Sequence, residues 1–177
     1  MSKQFSLDEV IRKIPDFPKP GVLFYDVTGI LVSPEAFRYC IDTMVSMYRN
    51  ENIDAVAAIE SRGFVFAAPF AEKLGIPLIL VRKKGKLPGK TYSCKYQLEY
   101  GEAELEVQVD DVRKDQQILV MDDLIATGGT FKATQTVLEM GGASVKEFFG
   151  VVGLPFLNYH KVLDPIPVRT LVEYYGE

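Results

Sequence analysis

The stretch Ile118-Leu-Val-Met-Asp-Asp-Leu-Ile-Ala-Thr-Gly-Gly-Thr130 decides how the rest of the chain is interpreted. Its first four residues are apolar and predict a strand buried on both faces. The carboxylates Asp122 and Asp123 follow, at the point where we expect that strand to leave the sheet. Beyond the loop, apolar residues at three- and four-residue spacing predict a helix that ends at Gly141-Gly142. Strand, loop and helix form half of a βαβ unit, and such sheets bind ligands at the carboxyl ends of their strands.

The loop residues in this stretch suit a phosphate group. Gly128 and Gly129 can adopt backbone angles closed to other residues and let a ligand approach the main chain. Free N–H groups at the helix start, with the hydroxyls of Thr127 and Thr130, suit a phosphate dianion. The two preceding carboxylates suit ribose hydroxyls or a hydrated Mg²⁺ instead. A ribose 5-phosphate carries both features; the alternative is an ordinary turn with two solvated aspartates.

Length and composition exclude several classes of protein. A chain of 177 residues, 47% hydrophobic and 25% charged, is typical of one soluble globular domain. A net charge of -4 gives no reason to expect binding to nucleic acid or to a membrane surface. Cys40 and Cys94 have no metal or redox spacing, and His160 is the one histidine. Without a signal peptide or a long apolar run, the sequence predicts a cytoplasmic protein.

Further apolar runs predict the neighbouring strands of the same sheet. Residues 55–59 and 77–81 are joined by a helical pattern, which predicts a right-handed parallel crossover. The first run ends at Glu60-Ser61-Arg62-Gly63, another strand-to-helix turn that offers free amide groups to an anion. Residues 145–154 and 168–173 complete the sheet. The fold class is therefore α/β, with a central, mostly parallel sheet flanked by helices.

Two segments outside these strands suggest ligand contacts. Pro15-Asp-Phe-Pro-Lys-Pro-Gly-Val-Leu-Phe-Tyr-Asp26 has three prolines, which exclude a regular helix and favour an extended wall for a flat apolar ligand. The alternative for this segment is a loop that covers the core. The run Arg82-Lys83-Lys84-Gly85-Lys86 follows a predicted strand, where its charge would stabilise a departing anion. A solvated basic face is the alternative there.

Local patterns predict two smaller elements. Residues 90–98 and 102–109 predict a hairpin that turns at Tyr100-Gly101. Alternation in its second arm puts Glu102, Glu104 and Glu106 on the exposed side. Near the start of the chain, Ser6-Leu-Asp-Glu9 has the capping-box pattern, which predicts a short helix through about residue 13.

The segment from Asp122 to Thr130 resembles the phosphoribosyl pyrophosphate loop of the type I phosphoribosyltransferases. The segments before it narrow the resemblance to members of that family that use adenine, and the similarity covers residues 14–150. It implies the type I phosphoribosyltransferase fold, with an antiparallel flap hairpin and an N-terminal purine-binding segment. Within one domain, 1–177, it implies a base-binding segment at 1–32, a flap at 84–108 and a phosphoribosyl pyrophosphate motif at 118–142.

The resemblance also implies an activity and its site residues. The activity is transfer of 5-phosphoribosyl from its pyrophosphate to adenine, giving AMP and pyrophosphate, as in purine salvage. Catalytic roles fall on Glu99, Arg62 and Lys86. Substrate contacts are implied for Leu23, Phe24, Tyr25, Ser61, Arg82, Lys83, Tyr100, Asp122, Asp123, Leu124, Ala126, Thr127, Gly128, Gly129 and Thr130. A Mg²⁺ would bridge substrate oxygens with no direct protein ligand, and members commonly form homodimers.

Other functions stay open at this point. Family members usually have an acidic residue and a Gly-Arg pair after the next-to-last strand, where this chain has Gly153 and Tyr159-His160. A transferase for a 6-oxopurine or pyrimidine is therefore one alternative. A regulator that senses phosphoribosyl pyrophosphate is another, although the segment before Pro15 is too short for a DNA-binding module. A two-metal carboxylate site at the acidic pair is the third.

Overall fold

The apolar runs form the centre of a seven-stranded sheet in the computed structural model, which describes residues 5–98 and 101–176. The strands are β1 Arg12–Ile14, β2 Phe24–Asp26, β3 Ala55–Ile59, β4 Leu78–Lys83, β5 Thr91–Leu98, β6 Gly101–Gln108, β7 Gln117–Ile125, β8 Ser144–Gly153 and β9 Val168–Glu173. The helices are α1 Thr28–Leu31, α2 Pro34–Tyr48, α3 Arg62–Leu74, α4 Gly129–Met140 and α5 Tyr159–Leu163. The large sheet has the order β5-β6-β4-β3-β7-β8-β9, and β1 pairs with β2 separately.

Five neighbouring strands of the large sheet are parallel, as the sequence predicted: β4, β3, β7, β8 and β9. Their two faces bury separate apolar clusters because successive residues of a strand point to opposite sides. On β7, Leu119 and Met121 belong to the cluster that includes α2 and α3. Ile118 and Val120 belong to the cluster under α4. All four side chains are fully buried, so the strand before the acidic pair is fixed from both faces.

The prediction that β7 leaves the sheet at Asp122 and Asp123 is wrong for its pairing with β8. Pairing with β3 ends at Ala58↔Met121, but pairing with β8 continues from Asp122↔Gly150 to Ile125↔Gly153. The reason is strand length, because β3 stops at Ile59 whereas β8 runs on to Gly153. Both carboxylates therefore lie within the last half of a strand, with one edge open.

The predicted N-terminal helix is also wrong. Residues Leu7–Glu9 form a single 3-10 turn, and the chain then enters β1. Antiparallel pairing of β1 with β2, from Arg12↔Asp26 to Ile14↔Phe24, takes the residues that the helix would have used. This pairing fixes one end of the proline-rich segment against the rest of the chain.

The predicted hairpin is present as β5 and β6, paired from Thr91↔Gln108 to Leu98↔Gly101. It joins the sheet through Arg82↔Glu106 and Lys83↔Leu105. The alternation pattern failed at Glu106, which is 2% exposed. The loop after β4 covers this side of β6 and gives the carboxylate its hydrogen bonds, so a position expected to face solvent is buried.

Candidate active site

The acidic pair at the end of β7 divides between two environments. Asp123 is buried, and its Oδ2 accepts a hydrogen bond from Arg62 Nε at 2.5 Å. Asp122 is half-buried, and its Oδ1 accepts the N–H of Asp123 at 2.8 Å. Burial, and then the neighbouring Asp123 charge, hold the pKa of the Asp122 carboxyl well above its usual range. The two groups predicted to act alike therefore differ in their hydrogen-bond partners.

The loop after β7 closes around a small cavity. Gly128, with a φ of +86°, is the residue before α4 begins. A Cβ at this glycine would lie 3.2 Å from Leu163 Cγ and 3.3 Å from Tyr159 Cβ, so both backbone angle and space favour glycine here. The cavity measures about 90 Å³ and is lined by Asp122, Leu124, Ala126, Thr127, Gly128, Thr130 and Phe131. Six of the predicted contact residues thus meet at the start of one helix.

A second helix begins beside this cavity. Ser61 precedes α3, Arg62 is its first residue, and both are exposed. The peptide between Glu60 and Ser61 is cis. Gly63 is buried against β7, where an added Cβ would lie 2.8 Å from Asp122 Oδ1 and 3.1 Å from Asp122 Cα. Sequence reasoning did not single out Gly63, whose missing side chain lets α3 approach the acidic pair.

Arg62 connects the acidic pair with the proline-rich segment. Besides its bond to Asp123, its guanidinium carbon lies 5.8 Å from the centroid of the Phe24 ring. Phe17 packs edge-on against the same ring at 5.0 Å. The side chain of Tyr25 points elsewhere, since it stacks on Tyr174 at 3.9 Å in the core. Any ligand contact of residue 25 would therefore use its main chain.

In the basic run after β4, one side chain is paired with a carboxylate and two others are exposed to solvent. Arg82 Nη2 bonds Glu60 Oε1 at 2.9 Å, and this bond lowers the pKa of Glu60. Lys83 and Lys86 are exposed. Across residues 5–98 and 101–176, neither lysine has a carboxylate within 4.0 Å. The two lysines are thus available to a ligand anion, whereas Arg82 already has a partner.

The hairpin of β5 and β6 lies along α4 and reaches the loop after β7. A Cβ at Gly129 would lie 3.9 Å from the carbonyl oxygen of Gln97 on β5. At the other end of the helix, a Cβ at Gly141 would lie 3.2 Å from Tyr92 Cε2. The predicted site residues Glu99 and Tyr100 lie outside the described residues. Their neighbours bring the flap within contact distance of the start of α4.

The segment in which this chain departs from the family pattern is also adjacent to the loop. A Cβ at Gly153 would lie 2.7 Å from the Tyr159 hydroxyl, so the glycine makes room for that ring. The hydroxyl donates to Glu173 Oε1 at 3.2 Å, and Thr170 Oγ1 donates to the same oxygen at 3.0 Å. An acidic group is thus present on β9, beside the position where family members usually carry one. His160 is exposed, with its ring 4.1 Å from that of Tyr159.

Three further features of the structure bear on the kind of site. A larger cavity of about 430 Å³ lies between the N-terminal segment and α2, and its lining includes Phe5, Leu7, Tyr39 and Leu171 but none of the predicted site residues. In the part of the chain that the structure describes, no three His, Cys, Asp or Glu side chains gather to hold a metal. Over the same residues, no helix is long and apolar enough to cross a membrane.

Known proteins share this arrangement of strand ends, helices and the loop between β7 and α4. The sequence pattern of the family described as "Phosphoribosyl transferase domain" matches residues 26–149. That span runs from before β3 into β8 and includes every described site residue except Leu23, Phe24 and Tyr25. The fold and site therefore define a phosphoribosyltransferase of type I.

Individual relatives narrow this class. The adenine phosphoribosyltransferase of Treponema denticola is 65% identical over 171 residues, which cover 97% of this chain and 90% of the relative. The crystal structure of adenine phosphoribosyltransferase from Thermoanaerobacter pseudethanolicus superposes with a TM-score of 0.91 at 41% identity, over 96% of this chain and 100% of that one. The Saccharomyces cerevisiae enzyme, solved with an imino-altritol bisphosphate and adenine, has a TM-score of 0.87 at 34% identity, over 93% and 96%. The chain belongs to the adenine phosphoribosyltransferase family.

Proposed function

We propose that this protein transfers the 5-phosphoribosyl group of 5-phosphoribosyl 1-pyrophosphate to N9 of adenine, giving AMP and pyrophosphate. The observation that carries the proposal is the position of Arg62. This residue contacts Asp123 of the phosphoribosyl motif and the Phe24 ring of the proline-rich segment at the same time. A sugar held at the first and a base held at the second would lie next to each other, as a glycosyl transfer requires.

The phosphoribosyl group is held at the motif 118–142 in this proposal. Main-chain N–H groups from Ala126 to Thr130, at the start of a 12-residue helix, bind the 5-phosphate. Asp122 and Asp123 accept hydrogen bonds from the ribose hydroxyls. Leu124, which lines the same cavity as Asp122, also contacts the substrate in this proposal. The binding of both ends of the ribose phosphate fixes the position of its C1′ atom.

Pyrophosphate leaves toward the basic run and the start of α3. As the bond from C1′ to the pyrophosphate oxygen breaks, the electron pair goes to the pyrophosphate and a bond to N9 of adenine forms. The charge that develops on pyrophosphate needs cations that are already in place. Lys83 and Lys86 are the exposed candidates, with Arg82, Ser61 and Arg62 beside them. We assign Glu99, on the flap with Tyr100, to handling of the proton lost from N9.

Mg²⁺ fits this site as an ion that arrives with the substrate. Because Arg62 is bonded to Asp123, the acidic pair offers Mg²⁺ at most two oxygen ligands. Mg²⁺ prefers six oxygens and commonly takes most of them from phosphates and water. When bound, the ion offsets part of the pyrophosphate charge. The orientation of ribose and phosphate rests on the protein groups named above.

Adenine is held by the N-terminal segment 1–32. Main-chain groups near Leu23 and Tyr25 offer a donor and an acceptor, and the Phe24 ring packs on the base. Adenine presents an amino hydrogen at N6 and accepts at N1, whereas hypoxanthine reverses both. A pocket built for adenine leaves two buried groups unpaired with a 6-oxopurine, at about 1–3 kcal/mol each.

The test is a comparison of bases. We expect kcat/KM for adenine to exceed that for hypoxanthine and guanine by roughly two to four decades, with AMP as the product. Reactions without phosphoribosyl pyrophosphate, or without Mg²⁺, are the controls. A 6-oxopurine that matches adenine within a factor of ten would contradict the base assignment. The absence of nucleotide from every base would instead favour a sensor of phosphoribosyl pyrophosphate.

The assembly and location are further parts of the proposal. The resemblance favours a homodimer, so sedimentation should give about 40 kDa, twice the 19.8 kDa of the chain. A value near 20 kDa in the presence of substrates would contradict it. We expect the protein in the cytoplasm, where both substrates and free thiols occur.

A further inference from the structure

Glu106 is a buried carboxylate directly beneath the basic run. Its side chain is 2% exposed, and its Oε1 accepts the N–H groups of Lys86 and Leu87, each at 3.0 Å. Its Oε2 accepts the Thr91 hydroxyl at 3.3 Å and lies 3.7 Å from Lys84 Nζ. The residue is thus bonded to both ends of the loop that connects β4 with β5.

Glu60 fixes the other side of the same loop. It accepts the N–H of Lys83 at 2.9 Å as well as the guanidinium of Arg82. Between the two carboxylates, the N–H of Lys86 also reaches the Lys83 carbonyl at 3.2 Å, which closes a turn. The backbone N–H groups of Lys83 and Lys86 are therefore each bonded to a carboxylate, Glu60 and Glu106 respectively.

The bonding pattern leaves the lysine charges available. Glu106 is satisfied mainly by two main-chain N–H groups and a hydroxyl, while the ammonium closest to it belongs to Lys84. The side chains of Lys83 and Lys86 stay exposed. A carboxylate that bonds the backbone of a basic loop fixes its shape without neutralising those two side chains.

The strand itself has no need of a charge at this position. A buried carboxylate is unfavourable unless its hydrogen bonds compensate for the lost water, and an apolar residue would pack there at lower cost. Both of its strand neighbours, Leu105 and Val107, are buried apolar residues. What the carboxylate supplies, and an apolar residue cannot, is acceptors for the loop amides.

We propose that Glu106 is a positioning residue for phosphoribosyl transfer, which holds the loop 83–87 so that Lys83 and Lys86 meet the departing pyrophosphate. The inference rests on the proposed function. Because the leaving group gains its charge in the transition state, a misplaced loop lowers kcat more than it weakens adenine binding. Removal of the carboxylate should therefore lower kcat without lowering Tm.

The decisive variant is Glu106→Leu, which removes the acceptors and suits a buried strand position. We expect kcat to fall about tenfold or more, since small misplacements of charge have large effects on rate. KM for adenine should stay within about twofold, and Tm should be equal to or above that of the wild type. Glu106→Gln, which keeps one acceptor oxygen, should lie between the two in kcat. Glu72→Leu, on the exposed face of α3, is the matched control.

A double variant tests whether Glu106 acts through the lysine. In a Lys86→Ala background, Glu106→Leu should reduce kcat by clearly less than it does in the wild type. Full additivity, a parallel loss of Tm and kcat, or a wild-type kcat in Glu106→Leu would each overturn the proposal. If the wild type forms no AMP, the proposed function fails instead.

Should the Glu106 variants not fold, hydrogen exchange in the wild type decides. The amides of Lys86 and Leu87 lie in an exposed loop, and bonds to a buried carboxylate should slow their exchange at least about tenfold relative to an unstructured peptide. Exchange at unstructured rates would show that the carboxylate does not hold the loop and would overturn the proposal.

Discussion

The central motif, residues 118–142, and the flap, residues 84–108, both contribute to the proposed site, but different interactions fix their positions. The strand of the motif is flanked by β3 and β8, and its residues 118–121 are fully buried. The flap joins the sheet through two residue pairs at its edge. Beneath its basic loop lies a buried carboxylate rather than an apolar side chain. Packing positions the strand of the motif. In the flap, Leu105 and Val107 are also packed in the core, but hydrogen bonds to carboxylates position the basic loop.

This difference assigns different tasks to the two regions. A motif fixed by packing provides one geometry for the ribose phosphate, so changes there should abolish binding. A loop held by hydrogen bonds places exposed lysine side chains, so changes there should lower turnover and leave ground-state binding nearly intact. Single substitutions in the two regions, taken from the largest expected effect to the smallest, can test this difference in tasks.

The largest effect is expected at Gly128. Valine there meets a φ of +86° and the nearby Leu163 and Tyr159, so the loop cannot keep its path. Calorimetric titration of Gly128→Val with ribose 5-phosphate should show binding weakened by about a hundredfold or more, since the loss combines strain with exclusion of the ligand. Gly75→Ala is the control: Gly75 also has a positive φ, +68°, with no atom of the described residues within 4 Å of an added Cβ. Wild-type affinity in Gly128→Val would show that this loop does not bind the phosphate.

Asp123 should give the next largest effect. In Asp123→Asn the charge-assisted bond to a ribose hydroxyl becomes neutral, at about 1–3 kcal/mol, so turnover should fall roughly ten- to a hundredfold with the fold retained. Steady-state kinetics with varied phosphoribosyl pyrophosphate measure it. Asp42→Asn removes an exposed carboxylate that also pairs with a cation, Lys73, and should change little. Unchanged kinetics in both Asp122→Asn and Asp123→Asn would rule out the ribose assignment.

Two lysines of the loop 83–87 should show a smaller loss with a different signature. Lys83→Ala and Lys86→Ala should each lower kcat about tenfold while KM for adenine changes less than twofold, because their contacts strengthen only as pyrophosphate gains charge. Lys114→Ala, another exposed lysine, is the control. A loss of adenine affinity as large as the loss of kcat would place this loop in the base pocket and remove the contrast between the two regions.

The same contrast explains how much could be predicted from sequence. Buried runs and glycines predicted the strand, loop and helix of the central motif because local pattern and packing agree there. The extension of β7 through Ile125 was missed, since the length of β8 decides it. The burial of Glu106 was missed because alternation describes a strand and not the loop that folds over it. The helix expected near Ser6 gave way to pairing with residues 24–26, a contact that no local pattern contains.

The smallest effect concerns the protonation of Asp122. Burial and the Asp123 charge raise its folded-state pKa above the usual 3.8. A group with a raised pKa contributes stability that is fully present below the unfolded pKa and is lost as pH rises through the folded pKa. Asp122→Asn has no proton to lose and should not show this loss. The variant should therefore match the wild type in Tm near pH 4 and exceed it near pH 8.

Thermal unfolding between pH 4 and pH 8 measures this difference. A gain of a few degrees at pH 8 is expected, since about 1 kcal/mol moves Tm by roughly 2–4 °C in a domain of this size. Asp42→Asn gives the baseline for an exposed aspartate. Asp122→Asn should also lose turnover. A rise in Tm together with a fall in kcat would mean that the carboxylate of Asp122 destabilises the fold but is needed to bind the ribose. Equal Tm values at pH 8 would show that ionisation of Asp122 does not destabilise the fold, which would contradict this prediction.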